Sequence, residues 1–270
     1  MVLGVVRVKG KVVAFHSSRG GTGKTTVAAN LALAYALEGL NVVFLDLDFR
    51  APSLFAVFSK GVRRPVKKWL NDFMHSRCSL EQALVDVSEE YAVDGKLLVG
   101  LANPALEAIR NMMGRSRAWE AGAAKRLFSI RSSLFDDMGV DCCILDTSPG
   151  IQYSSINGVV SSDVAVVVTT LDSLDVEGVK NMLTEFYDEF EKKSVILMNK
   201  VFPQTRIWSD DKRSELVSRM EKFFVRPVVG VIPCYCDVLE SKRASLLVVE
   251  NPGHPFLEDL KEVMKKLEYT

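Results

Sequence analysis

The residues best suited to chemistry lie between positions 16 and 26, in the stretch HSSRGGTGKTT. Glycines carry no side chain, so the backbone N–H groups of such a stretch can wrap closely around the oxygens of a phosphate. Lys24 supplies a positive charge for the β and γ phosphates of a nucleotide, and Thr25 supplies a hydroxyl for Mg²⁺. A helix that starts directly after the loop would direct its positive end at the same phosphates. The stretch predicts a phosphate-binding loop, with Ser18 standing where the general pattern has its first glycine.

Three aspartates at the ends of apolar runs are candidates for the chemistry beside that loop. Asp146 ends the run CCILD, and a carboxylate there can hold a water of the Mg²⁺ shell, because Mg²⁺ keeps several waters and few direct protein ligands. Asp46 and Asp48 flank Leu47, so on a strand both carboxylates would point to one face. Each could instead cap a helix or turn after a strand. The nearby phosphate loop favours the catalytic interpretation.

The elements that must position these residues are short apolar strands alternating with helical patterns. Runs this continuously apolar are typical of parallel strands buried on both faces. We predict an α/β fold, with a mostly parallel twisted sheet, helices on both faces and one domain over residues 1–270. The predicted strands are 11–17, 41–48, 97–103, 141–147, 163–170, 194–201 and 227–233, with an edge strand expected at 2–8. The predicted helices are 25–40, 176–193, 209–224 and 254–270.

The segment RGGTGKTT resembles the deviant phosphate-binding loop of the MinD/ParA class of P-loop ATPases, usually written K-G-G-x-G-K-[ST]. Arg19 stands at the position of that class's signature lysine, and Lys24 at that of the ordinary lysine. VVFLDLDFRAPSL (42–54) is similar to the second strand and switch I, and DCCILDTSPGI (141–151) to the Walker B strand and switch II. The resemblance covers nearly the full chain, is vaguest over 55–135, and is nearest to archaeal or bacterial MinD-like ATPases. It implies a P-loop NTPase fold.

This resemblance also implies roles for individual residues. It gives Asp48 the attacking water, Asp46 a supporting place near the metal, and Gly150 a backbone N–H that senses the γ-phosphate. The candidate catalytic residues are Lys24, Asp48 and Arg19. The candidate ATP-binding residues are Gly20, Gly21, Thr22, Gly23, Lys24, Thr25, Thr26, Gly150, Asn199, Pro233 and Asp237. The candidate metal residues are Thr25, Asp46 and Asp146, with Mg²⁺ as the cofactor and ATP as the substrate.

The signature residue of the class crosses a dimer interface and contacts the partner's phosphates. An arginine there keeps the charge and can contact phosphate oxygens with its planar fork. The resemblance implies an ATP-dependent homodimer in which Arg19 acts in trans, and a slow hydrolysis that switches binding to a protein partner on and off. Arg19 could alternatively point to solvent or to its own phosphates.

The base of the nucleotide is predicted from residues near the later strands. A guanine reader of the N-K-x-D type needs an acid three residues after Asn199, and position 202 is Phe. Asn199 can still present its amide to adenine, with the loop from Pro233 to Asp237 closing over the ring. ATP is therefore favoured over GTP.

Two alternative functions remain open at this point. One is an iron–sulfur or metal cluster carrier ATPase of the Mrp branch, for which Cys234 and Cys236 would be the ligands. Their CYC spacing differs from the C-x-x-C pair of that branch, and one pair cannot complete four ligands within a single chain. The other alternative is an enzyme that couples ATP to small-molecule synthesis, which would need a substrate pocket near switch II.

Composition indicates which partners and which cellular location are favoured. The chain has 34 basic and 34 acidic residues, so nucleic acid is not a favoured partner. Five cysteines and no secretory signal indicate a reducing, cytoplasmic location.

The last predicted helix carries an apolar stripe (Phe256, Leu257, Leu260, Val263, Met264 and Leu267), for which core packing is favoured over peripheral membrane contact. Two basic and apolar stretches, 62–69 and 108–119, predict helices that cover the sheet or, less favoured, a partner-docking surface.

Overall fold

The structure is a computed structural model that describes residues 10–202, 210–240 and 246–270. Within these residues eight strands form one sheet in the order β3-β4-β2-β5-β1-β6-β7-β8. The strands are β1 Lys11–His16, β2 Asn41–Leu47, β3 Leu84–Asp86, β4 Lys96–Gly100, β5 Cys142–Thr147, β6 Val164–Thr169, β7 Ser194–Val201 and β8 Val228–Pro233. All neighbouring pairs are parallel except β3 with β4. The predicted α/β class and mostly parallel sheet are confirmed.

Helices cover both faces of this sheet. They are α1 Lys24–Leu37, α2 Leu54–Val57, α3 Leu70–Met74, α4 Leu106–Met113, α5 Arg117–Arg131, α6 Tyr153–Ser161, α7 Ser173–Met182, α8 Asp210–Phe224, α9 Cys236–Glu240, α10 Leu247–Glu250 and α11 Phe256–Glu268. Alternate residues of β1 face opposite cores. Val13 and Phe15 pack with α1 and α11, whereas Val12 and Ala14 pack with α5 to α8. Both faces of the central strands are therefore apolar, as the continuous apolar runs predicted.

The strand order determines where a ligand can bind. β1 lies between β5 and β6. The connection after β1 runs toward β2 on one side, and the connection after β5 runs toward β6 on the other side. Such a reversal opens a crevice at the carboxyl ends of the strands, where open α/β sheets bind ligands. The phosphate loop follows β1 and therefore lies at this crevice. Asp46 and Asp146 are opposite each other in the register of β2 and β5, close to the same edge.

The structure differs from the sequence-based prediction in several elements. The stretch 62–69, predicted as helical, lies between α2 and α3 and contains no helix, and the stretch 108–119 is divided between α4 and α5. Helix α6 was not predicted. The helix predicted over 176–193 is α7 followed by a π-helical turn, Leu183–Tyr187. The strand β3 was missed, because three residues after the short 3₁₀ helix Glu81–Ala83 carry too little pattern to be recognised. The predicted edge strand at 2–8 lies outside the described residues.

The apolar stripe of α11 packs against the sheet. Five residues of the stripe are buried in the core beside β8, namely Phe256, Leu260, Val263, Met264 and Leu267. Leu257 is partly buried against the same core. The stripe is thus used by the fold, as predicted. Across the described ranges, no helix combines the length and apolar character needed to cross a membrane.

The contact of α11 with β8 generates a stability prediction at Gly230. A Cβ at this position would lie 2.4 Å from Cγ2 of Val263 and 3.0 Å from Cδ1 of Leu197. Val263 is stiff and fully buried, so Gly230→Ala should force α11 away and lower the free energy of unfolding by about 1–3 kcal/mol. Urea denaturation measures this. Gly253→Ala is the matched control, because no atom lies within 4 Å of its added Cβ. Equal unfolding curves for the two variants would contradict the packing argument.

Candidate functional site

The phosphate loop connects β1 to α1 and holds two glycines in left-handed backbone conformations. Gly21 has φ 87° and Gly23 has φ 86°, which side chains rarely tolerate. A Cβ on Gly23 would also lie 2.3 Å from Nδ2 of Asn199, so this position needs glycine for space as well. The loop thereby leads directly into the first turn of α1, where the helix N-terminus favours anions.

A buried ion pair lies at the end of this loop. Nζ of Lys24 donates to Oδ1 of Asp146 at 2.5 Å, and Oγ1 of Thr25 donates to Oδ2 of the same carboxylate at 2.7 Å. The Lys24 side chain is 7% exposed and that of Asp146 is fully buried. Lys24, Thr25 and Asp146 were predicted from two motifs that are far apart in the chain, and the fold brings them into contact. The hydroxyl and carboxylate oxygens are of the kind that Mg²⁺ prefers in proteins.

Asp46 shapes the segment that follows β2. Its Oδ1 accepts from the backbone N–H of Asp48, and its Oδ2 accepts from the N–H groups of Ser53 and Leu54. Burial, followed by the negative charge of Asp146, raises the pKa of Asp46 to about 8. The side chain is thus engaged with the backbone of the segment from 48 to 54, which includes the start of α2.

Asp48 lies one residue beyond the end of β2 and is partly exposed. Its Oδ1 accepts from Oγ of Ser148 at 2.9 Å, and Oγ of Ser148 lies 3.3 Å from Oγ of Ser154. Ser148 directly follows β5 and Ser154 is in α6. This short chain of hydroxyls connects the segment after β2 with the segment after β5.

Arg19 is half-exposed and lies near two carboxylates of its own chain. Its Nη1 is 3.5 Å from Oδ1 of Asp172 and 3.6 Å from Oδ1 of Asp175. Asp172 caps the N-terminus of α7, and Asp175 accepts a further hydrogen bond from Oγ1 of Thr170 at 2.6 Å. The sequence leaves three directions open for Arg19, namely a partner's phosphates, its own phosphates and solvent. Here the guanidinium instead lies beside two carboxylates at the start of α7.

Gly150 is held from two sides. Its N–H donates to the carbonyl of Ser17 at 2.8 Å, and its carbonyl lies 3.0 Å from Nε2 of His16. The other ring nitrogen of His16 lies 2.8 Å from the hydroxyl of Tyr187, in the π-helical turn after α7. Burial lowers the pKa of His16 to about 4, so the ring is neutral near pH 7. A neutral ring with Nε2 protonated donates to Gly150 and accepts from Tyr187, which satisfies both nitrogens.

The ends of β7 and β8 lie beside the phosphate loop. Nδ2 of Asn199 donates to the carbonyl of Thr22 at 2.8 Å, and Nζ of Lys200 donates to that of Gly21 at 2.7 Å. Pro233 ends β8 and is partly exposed. Asp237, in α9, accepts a hydrogen bond from Nε2 of the buried His254 at 2.9 Å.

Comparison with known proteins agrees with this geometry. The family model described as AAA domain matches residues 10–200, which is more than half of the chain. The chain belongs to the MinD/ParA-type P-loop ATPases. The match includes β1, the phosphate loop, both acidic segments and β7 as far as residue 200, so it covers the predicted site except Pro233 and Asp237.

Relatives of this MinD/ParA-type ATPase share modest identity over most of its length. It is 24% identical to the septum site-determining protein MinD of Synechocystis over 93% of this chain and 83% of that one. It is 25% identical to an uncharacterised ATP-binding protein of Methanocaldococcus jannaschii over 94% of this chain and 86% of that one. Among solved structures, MinD of Aquifex aeolicus superimposes with a TM-score of 0.73 at 17% identity, covering 96% and 97% of the two chains. MinD of Pyrococcus horikoshii, complexed with Mg-ADP, gives 0.70 at 19% identity and 95% coverage of each.

The predicted site residues of this MinD/ParA-type ATPase fall into two groups. The loop residues and the three aspartates meet at the carboxyl edge of β1, β2 and β5. Asn199 and Gly150 lie at the same edge, but the Nδ2 and N–H groups predicted to face nucleotide donate to Thr22 and Ser17 instead. Their roles toward nucleotide stay predictions, and so does the base-binding role of the Pro233 to Asp237 loop.

Three residues near the site were missed by sequence reasoning. His16 has no partner at a short spacing that could reveal it, since its partners are 134 and 171 residues away. Asp175 lies directly before the predicted helix 176–193 and carries no motif. Lys200 did have a signal, since it directly follows the recognised Asn199 at the end of a predicted strand.

The cysteines considered for a metal cluster lie at the start of the base loop. Cys234 is partly buried and Cys236 is exposed. In the part of the chain that the structure describes, no three or more His, Cys, Asp or Glu side chains are grouped as a metal site. A cluster would need thiols from a second chain, and the carrier alternative stays a hypothesis.

The buried neutral ring of His16 predicts a pH dependence of stability. The pKa of His16 is about 4 in the folded protein and the ordinary value is 6.5, so the unfolded chain binds the proton more tightly. Stability should therefore fall as pH drops through 6.5 toward 4, by about 2 kcal/mol between pH 7 and pH 5 from this group.

Urea denaturation of the wild type and of His16→Gln at both pH values isolates this contribution. The loss between pH 7 and pH 5 should be about 2 kcal/mol smaller in the variant, because glutamine does not titrate. NMR of the wild-type histidines gives a second check, in which one ring should stay neutral at pH 5. Equal losses in both proteins, with every ring titrating near 6.5, would contradict the assignment.

Proposed function

We propose that the protein binds Mg-ATP at the phosphate loop, hydrolyses it, and acts as a nucleotide-dependent switch that regulates or positions a protein partner. We further propose that it works as one domain and dimerises when ATP is bound. The cluster of Lys24, Thr25 and Asp146 carries this proposal, because it combines a cation for phosphate with oxygens for Mg²⁺ at a helix N-terminus. The MinD of Pyrococcus horikoshii, which shares the fold, is complexed with Mg-ADP.

The residues present fit this substrate and its metal. Lys24 would transfer its contact from Asp146 to the β and γ phosphates, and the loop N–H groups would hold their remaining oxygens. Mg²⁺, when bound, supplies charge neutralisation between the phosphates. Thr25 would hold it directly and Asp146 through a water. We assign Asp46 to the shape of the segment after β2, because three backbone N–H groups already occupy its oxygens.

Asp48 is the residue we assign to the attacking water. It is the partly exposed carboxylate of the pair, and Ser148 orients it from the segment after β5. The switch segments thus share one hydrogen bond at the position where hydrolysis would occur. Loss of the γ-phosphate would therefore move both segments together. Nucleotide switches work in this way when their loops are ordered by the γ-phosphate and released on hydrolysis.

The asparagine variant tests this assignment. Asp48→Asn should still bind ATP, because the phosphate loop is intact, but should hydrolyse it about 10²–10⁴-fold more slowly. ATP binding is measured by calorimetry and hydrolysis by phosphate release. Asp136→Asn, an exposed site elsewhere on the chain, is the control and should retain full hydrolysis. Wild-type turnover in Asp48→Asn would remove Asp48 from the mechanism.

Arg19 is proposed to exchange its partners when ATP is bound. Its contacts with Asp172 and Asp175 are long, and the side chains of Arg19 and Asp172 are more than half-exposed, so these pairs contribute little to stability. The guanidinium can therefore leave them for the phosphates of a second subunit, where charge develops during phosphoryl transfer. This accounts for dimerisation that depends on ATP.

Sizing of variants with and without ATP tests the role of Arg19. Arg19→Ala should keep ADP binding but lose the ATP-induced dimer and about a hundredfold or more of the hydrolysis rate. Arg19→Lys keeps the charge and should retain the dimer, whereas Lys24→Ala should lose nucleotide binding itself. Arg64→Ala, an exposed arginine in the loop after α2, is the matched control. An ATP-induced dimer that survives Arg19→Ala would show that Arg19 does not act in trans.

The partner is proposed to be a protein. The MinD of Aquifex aeolicus has been solved in a complex with MinC, and it shares the fold over nearly the whole chain. Two exposed apolar side chains, Ile151 at the end of switch II and Tyr153 just after it, are available for such a contact.

A further inference from the structure

A cavity of about 230 Å³ lies behind the two switch segments, on the side of the sheet covered by α5 and α6. Its floor is apolar and includes Leu47, Phe49, Met112 and Leu127. Met113 and Tyr153 line it as well and are about half-exposed, so the cavity is open to solvent between them. An apolar cavity of about 150 Å³ can hold a benzene-sized molecule, so this one has room for a ring and a short polar chain.

Two residues that line the cavity each have a buried polar atom without a hydrogen-bond partner in the described part of the chain. Nε of Arg115 and Oε1 of Gln152 are buried, and neither has a hydrogen-bond partner among the described residues. A buried polar atom left unpaired costs about 1–3 kcal/mol. Both atoms are closed off from the cavity, so a ligand would recover part of that cost by drawing the side chain of Arg115 or Gln152 toward it.

A second observation concerns the hydrogen bonds that surround Arg115. Nε1 of Trp119 lies 3.2 Å from Nδ1 of His75, and Nη2 of Arg115 lies 3.2 Å from the ring's Nε2. Both of these groups are donors, and a neutral imidazole has only one acceptor nitrogen. Burial and the neighbouring arginines lower the pKa of His75. Nη2 of Arg115 also donates to Oδ1 of Asn111 at 3.3 Å, so the buried donor of Arg115 that lacks a partner among the residues described is its Nε.

The charges of the lining residues favour an anion. Arg50 and Arg115 both line the cavity. Among the described residues that line it, Glu120 is the one carboxylate, and its Oε2 is already engaged by Nδ2 of Asn157 at 3.2 Å. Arginine pairs well with planar carboxylates through parallel N–H groups. An apolar floor beside two guanidinium groups, one of which has an Nε–H that no described residue accepts, matches a carboxylate that is attached to an apolar body.

We propose that this cavity binds a small organic carboxylate with an aromatic or aliphatic body, its carboxylate held by Arg115 and its body by Trp119 and the methionines. The ligand would sit against residues 49–50 of switch I and residues 152–154, which directly follow switch II. Ser154 connects through Ser148 to Asp48, so the cavity wall is two hydrogen bonds from the carboxylate assigned to the attacking water. Binding here would therefore change nucleotide affinity, and nucleotide would change the affinity for the acid by the same factor.

Calorimetry on the nucleotide-free protein with 4-phenylbutyrate as the probe tests the site. The experiment does not require ATP binding or hydrolysis, so its failure is separate from any failure of the proposed ATPase function. We expect saturable binding at one site, weakened about tenfold or more for 4-phenylbutanamide, which has the same body without the charge. Arg115→Gln should weaken acid binding by a similar factor, whereas Arg117→Gln, an exposed arginine of α5 outside the cavity lining, should leave it unchanged.

Several results would overturn the proposal. These are no acid binding up to about 10 mM, equal binding of acid and amide, or wild-type affinity in Arg115→Gln. If Arg115→Gln proves unfolded by circular dichroism, the comparison of acid and amide on the wild type decides alone. Titration of ADP with and without the acid then measures the coupling to the nucleotide site.

Discussion

The buried ion pair between Lys24 and Asp146 is the interaction on which the site depends. It joins the loop after β1 to the end of β5, two strands that are neighbours in the sheet but separated by 122 residues along the chain. Buried charges are tolerated only when they are paired, so each partner requires the other in place. Thr25 adds a second bond to the same carboxylate. The sheet order is what makes this possible, since it brings Phe15 and Asp146 into register.

The switch segments are attached to this centre by few and specific bonds. Asp46 organises the first segment through three backbone N–H groups, and the hydrogen bond from Ser148 to Asp48 joins the first segment to the second. Gly150 is held by Ser17 and His16 at the end of β1. A nucleotide phosphate that competes for any of these groups would shift both segments. Residues of these segments and those directly after them also line the cavity beside α4 and α5. A bound acid would therefore contact residues that are hydrogen-bonded to Asp48 through Ser148.

The sequence pattern predicted the parallel sheet and a set of residues that meet at the carboxyl edge of β1, β2 and β5, and it did so for physical reasons. Strands buried on both faces are continuously apolar, and the loop needs Gly23, because that position combines a positive φ with the close approach of Asn199. The three-residue β3 could not be recognised from so short a pattern. The π-helical turn after α7 was missed too, because it continues the apolar spacing of the helix before it.

The sequence by itself determined the family, the α/β fold class and the phosphate loop, because these follow from local composition and spacing. Only the tertiary structure decided which partners the polar side chains have. It placed Arg19 beside Asp172 and Asp175, and His16 between Gly150 and Tyr187. It also placed Arg115 and Gln152, 37 residues apart, on the lining of one cavity. Such contacts join residues far apart in the chain, and no local pattern records them.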